Sequence, residues 1–64
     1  AINDGEEVFV ALDGVVEMHF KENDVELSTL LNTGDIFYAT KGTEHVAHPK
    51  GEARVLVIES EGSI

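Results

Sequence analysis

Turn-forming residues cut this chain at close intervals, and the segments between the cuts alternate with a period of two. The cuts are Asp13-Gly14, Lys21-Glu-Asn-Asp24, Asn32-Thr-Gly-Asp35, Lys41-Gly42-Thr43 and Pro49-Lys-Gly51. Glycine supplies positive φ, and Asn and Asp hydrogen-bond their own backbone, so such clusters end regular structure. The intervening runs show no helical periodicity. A chain punctuated in this way is restricted to β structure.

Taken in order, residues 1–5 read as a loop or the end of a strand, and Glu6 to Leu12 as the first full strand. Within it Val8, Val10 and Leu12 share one face, and Glu7, Phe9 and Ala11 the other. Both faces are largely apolar, so both should be covered. Asp13-Gly14 is a two-residue hairpin signal leading into Val15 to Phe20. There Val16, Met18 and Phe20 oppose Glu17 and His19. Val25 to Leu31, Ile36 to Ala39, His45 to His48 and Arg54 to Glu59 extend the antiparallel meander, with a stop near Pro49. About six short strands in one domain, residues 1–64, predict an all-β antiparallel barrel or sandwich.

A chain of 64 residues buries only about 60% of its unfolded surface, so its core is small and help from a partner is expected. No cysteine is present to staple it, which predicts a reducing, cytoplasmic setting. Ala1 in place of an initiator Met reads as a processed or partly represented chain. Thirteen Asp and Glu against four Lys and Arg give a formal charge of −9. That charge repels nucleic acid and anionic lipid, and no run of about 18 apolar residues offers a membrane span. Doubly apolar strands with open edges predict a homodimer.

The stretch Gly34-Asp-Ile-Phe-Tyr-Ala-Thr-Lys-Gly-Thr-Glu-His45 resembles the second motif of the cupins, which reads Gly, five residues, Pro, any residue, Gly, two residues, His. Gly34, Gly42 and His45 fall at the matching places, with Thr40 at the proline position. Glu7 and Gly14 have the spacing of the Glu and Gly in the first motif. The resemblance covers nearly the whole chain and implies a cupin-like barrel of jelly-roll type, open or incomplete at its N-terminal end. It also implies a divalent transition metal (Mn, Fe, Ni or Zn) held by Glu7, His45 and a pair of histidines before Glu7. Counting back reaches Ala1 and Asn3, or Ile2 and a place before the chain, and none is histidine.

Glu7 shares its strand face with Phe9 and Ala11, where a carboxylate must be paired, coordinated or protonated. Neutral imidazole is a common transition-metal ligand, which makes His45 the leading candidate. Asn3 offers a weaker carbonyl oxygen. Phe9, Tyr38 and His45 are expected to line a ligand pocket, the Tyr38 hydroxyl needing a polar partner if buried. His48, three residues beyond His45, belongs to the opposite strand face, and His19 to the polar face beside Glu17. No catalytic residue is assigned. The first expectation is a small-molecule-binding domain with an incomplete metal site. The alternatives are a metal-dependent dioxygenase or isomerase whose other ligands lie upstream or on a partner chain, and a structural β-module for oligomerisation.

Overall fold

The computed structural model describes residues 5–60. It is all-β and antiparallel, with β1 at Glu7–Glu22, β2 at Val25–Leu31, β3 at Ile36–Ala39 and β4 at His45–Glu59. Among the described residues there is no helix, hence none long and apolar enough to cross a membrane.

Every strand pairing passes through β1. Strand β4 runs along it from Glu7↔Glu59 to Phe20↔His45. Strand β3 pairs with its first residues, Glu7 to Val10, and β2 with Val16 to Glu22. Because β4 takes one edge over both stretches, β2 and β3 divide the other edge between them. The turn joining them is tied to the middle of β1 by Gly34 N–H donating to the Ala11 carbonyl (2.7 Å) and Ala11 N–H to that of Asp35 (3.0 Å).

This arrangement corrects three sequence expectations. The meander is not sequential, since β3 and β4 both pair with β1. Asp13-Gly14 is not a hairpin: β1 continues through it, and the register against β4 shifts between Ala11 and Asp13 and again between Asp13 and Val15. Such shifts mark a β-bulge, which bends a strand and increases its twist. The third correction is Pro49, which sits within β4 opposite Val16 and does not end it. A proline lacks the N–H that a central strand needs on both edges, and β4 tolerates it because β1 is its only partner among the described residues. The turn at Asn23 and Asp24 (φ 53° and 63°) is a real hairpin of the type with positive φ at both central residues.

The bulge folds the sheet onto itself. From Glu7 to Phe20 a straight β1 would measure roughly 40 Å. Yet β3 ends opposite Glu7, β4 begins opposite Phe20, and the few residues between Ala39 and His45 span at most about 20 Å. The molecule is itself only 27 × 27 × 15 Å. The two ends of β1 therefore approach each other, one in each of two layers. Strands that pass from layer to layer through a bulge make the corner of a small sandwich.

Gly14 stands at that corner with φ +77°, and a Cβ placed there would meet the Glu52 carbonyl oxygen at 2.3 Å. The extra residue also switches the inward phase of β1. Phe9 and Ala11 face inward before the bulge, Val16 and Met18 after it, and with Leu31 and Ala39 these form the buried core. Phe20, Phe37, Ala53 and Val55 pack against it, half-buried. Cover fails toward the outer strands, where Val57 and Leu27 lie in inward register opposite Phe9 and Phe20 but remain 43% and 41% exposed.

Candidate functional site

Glu7 opens β1 and His45 opens β4, so the fold-over that joins the layers brings together the two residues expected to share a site. Both are inward-facing and buried, each 8% exposed. Glu7 Oε1 lies 3.9 Å from His45 Nε2. Phe9 presents its ring to His45 in an edge-on contact with centroids 5.0 Å apart. Two further ring contacts, Phe9 to Phe37 at 6.2 Å and Phe37 to Phe20 at 5.1 Å, continue the aromatic wall across the layers.

The turn before β4 orients His45. Thr43 N–H donates to the Thr40 carbonyl (3.1 Å), and the two threonine hydroxyls meet at 2.9 Å. The Thr43 carbonyl lies 3.3 Å from His45 Nδ1. A carbonyl only accepts, so in this contact Nδ1 is the donor, and Nε2 is the ring nitrogen on the side of Glu7.

Burial pushes the Glu7 carboxyl above the usual Glu value of 4.5, and a hydrogen bond with the Glu59 side chain, its register partner on β4, pushes it further. The His45 imidazole opposes both effects. In a molecule 15 Å across its short axis the cover over Glu7 comes from immediate neighbours and not from a deep interior. At 3.9 Å the two groups are too far apart to share a proton directly, and what the pair presents to a ligand is one oxygen and one nitrogen donor.

A cleft of about 150 Å³ opens at the rim beside His45. Phe20, Leu27 and Val46 supply apolar lining, while Lys21 and Glu44 form a 3.6 Å ion pair at its edge. The cleft meets His45 but is not lined by Glu7 or Phe9. Tyr38 is elsewhere: it lies on the outer face, 53% exposed, and donates its hydroxyl to Glu6. That bond holds the phenol above its usual 10. Phe37, in the opposite phase of β3, takes the inward place that the sequence reading gave to Tyr38. Asn3 lies outside the described residues.

The residues present fit a metal in part. An imidazole whose second nitrogen donates to a backbone carbonyl is oriented as metal-bound histidines are. Among the described residues, however, no group of three or more His, Cys, Asp or Glu side chains is placed to hold an ion. Two donors make a weak centre, and no chemical step is assigned to a metal.

On the far side of the sheet, His19 Nε2 lies 2.7 Å from Glu17 Oε1, and the His19 ring meets His48 edge-on at 4.7 Å. Cross-strand pairing of Glu17 with His48 assembles this exposed cluster. Sequence reading separated His48 from His45 by strand phase but did not bring it to His19, which only the register of β4 on β1 reveals. No family model matches the chain, and neither a curated protein nor a solved structure matches it.

Proposed function

We propose that the chain is a small-molecule-binding β-domain of the cupin type, with the Glu7–His45 pair as the polar end of its site and Phe9, Phe37 and Phe20 as the apolar wall. The observation carrying this reading is the burial of a carboxyl and an imidazole 3.9 Å apart against an aromatic ring. Taking such groups from water is costly, and a pair of hydrophobic residues would stabilise a small core at least as well. Their presence is accounted for by a ligand that uses them. The rim cleft suits a compact molecule with one hydrogen-bonding group to meet His45 and an apolar body against Phe20 and Leu27. The absence of cysteine suits a cytoplasmic setting.

The test is a fragment titration followed by NMR of the His45 ring and the Phe9, Phe20 and Phe37 side chains, in the wild type and in Glu7→Gln and His45→Ala. Fragments that shift these signals together in the wild type, and no longer shift the three phenylalanines in either variant, support the reading. A set of compact polar-aromatic fragments that leaves all of them unmoved sinks it.

The orientation of His45 by the Thr43 carbonyl favours a second reading, a metal-dependent dioxygenase or isomerase completed by donors beyond Glu7 and His45. Incubation with Mn, Fe, Ni or Zn followed by desalting decides it. Near one ion per chain, lost in His45→Ala, supports the enzyme. No retained ion removes it.

A further inference from the structure

Two exposed histidines meet on the outer face of the layer built on Val15 to Glu22. Register places Leu30, Glu17 and His48 in one row across β2, β1 and β4, and Ser28, His19 and Val46 in the next. His19 and His48 are thus diagonal neighbours on different strands, within reach of each other's rings. Their ring centroids lie 4.7 Å apart, edge-on at 79°. Glu17 stands directly opposite His48 and on the same strand as His19, and its Oε1 lies 2.7 Å from His19 Nε2. The Glu7–His45 site uses none of these groups.

We propose that His19 and His48 are the two protein ligands of a surface site for a divalent copper ion, oriented by Glu17. With metal–nitrogen bonds of about 2.0–2.1 Å and each ring centre roughly 1.1 Å beyond its nitrogen, two imidazoles on one ion have centres about 4.5–5.2 Å apart, for angles from square-planar to tetrahedral. The observed 4.7 Å falls inside that range. Exposed rings turn about a soft χ2, so bringing one nitrogen of each toward a common point needs no movement of the strands. A carboxylate only accepts, so in its contact with Glu17 the His19 Nε2 is the donor, and Nδ1 is the nitrogen available to a metal. A carboxylate behind a ligating histidine fixes the ring and raises its basicity.

The donor set identifies the ion. With both ligands imidazole and no cysteine in the chain, the site suits late first-row cations, and copper(II) stands above nickel and zinc in their order of affinity. Among the described residues no three His, Cys, Asp or Glu side chains are placed to hold an ion together. Water therefore supplies the remaining positions, and Glu17 acts through His19 and not on the metal. Two protein ligands on an open face make a site that exchanges its ion readily. The chain's charge of −9 draws cations toward it, while Lys50, 3.7 Å from Glu17, opposes them locally. The cluster lies on the opposite side of the sheet from Glu7 and His45, so the two sites are separable by mutation.

Copper titration of the 64-residue chain at equilibrium, in a buffer that does not bind metal, tests this, since desalting would strip so open a site. Pulsed electron paramagnetic resonance should find two imidazoles on a single copper per chain, and nickel and zinc should bind more weakly. His19→Ala and His48→Ala remove exposed side chains and should leave the β circular dichroism unchanged. Each should leave one imidazole in the spectrum and weaken binding by about tenfold or more. Glu17→Gln should keep both imidazoles while weakening binding; an unchanged affinity there overturns the part given to Glu17. His45→Ala should bind copper as the wild type does. A titration that does not saturate overturns the proposal. So do single-histidine variants that bind like the wild type, the mark of copper on carboxylates or the N-terminal amine. Copper lost in His45→Ala and kept in His48→Ala overturns it too, by placing the ion at the inner site.

Discussion

The carbonyl oxygen of Glu52 occupies the space that a Cβ on Gly14 would need, at 2.3 Å, so the corner of the sandwich closes only over a residue with no side chain. Gly14→Ala meets two penalties, a left-handed backbone at φ +77° and a collision with main chain. The first costs about 1–2 kcal/mol, and the second should bring the loss to roughly 3 kcal/mol or more. Gly42→Ala is the control, because Gly42 has φ +85° but open space where its Cβ would go. Urea denaturation should show Gly14→Ala clearly worse; equal losses would remove the corner from the explanation.

Met18 is fully buried at the centre of the core. Met18→Ala should cost about 2–5 kcal/mol, a large share of what a chain this size has to lose. The expected result is a largely unfolded population at room temperature by circular dichroism. Ile36→Ala, on the exposed face, should leave the fold of the single chain intact.

Glu7 and Glu17 respond to acid in opposite senses. The Glu7 carboxyl is raised by burial and by Glu59, so the folded chain holds that proton more tightly than the unfolded one. Its contribution is fully favourable below about 4.5 and is lost as pH rises through the folded value. Glu17 is lowered by its hydrogen bond with His19 and by Lys50, so its contribution is present above about 4.5 and fades as pH falls through the depressed value. Urea midpoints across this range should lose the first dependence in Glu7→Gln and the second in Glu17→Gln. Swapped assignments would contradict the geometry.

Tyr38 donates to Glu6, and that acceptor holds the phenol proton in place. Ultraviolet titration should find Tyr38 ionising above its usual 10, and Glu6→Gln should bring it down toward that value. A phenol indifferent to Glu6→Gln would mean the pair does not persist in solution.

Much of this was legible in the residues. Alternation placed Glu7, Phe9 and Ala11 on one face and Val16, Met18 and Phe20 on another, and the burial follows those phases. The change from odd to even across Asp13-Gly14 is the signature of an inserted residue, yet the dipeptide gives the same local signal for a hairpin. What decides is β4 pairing with both halves of β1, a relationship between residues up to Glu7 and Glu59 apart. Tyr38 and Phe37 were ambiguous for a different reason. Both phases of β3 are apolar, so alternation could not say which faces inward. The meeting of Glu7 with His45 lay beyond any strand pattern, because it depends on the bend at Gly14.

Since every strand leans on β1, the order in which the chain is made matters. As it leaves the ribosome, β1 can find β2 at once through the Asn23-Asp24 hairpin, and β3 soon after. Its first residues wait until Val55 to Glu59 have been added. Until then one edge of Val8, Phe9 and Val10 stays open to any passing strand. Chaperones or neighbouring nascent chains would meet the protein at that stage, through the edge that β4 closes last.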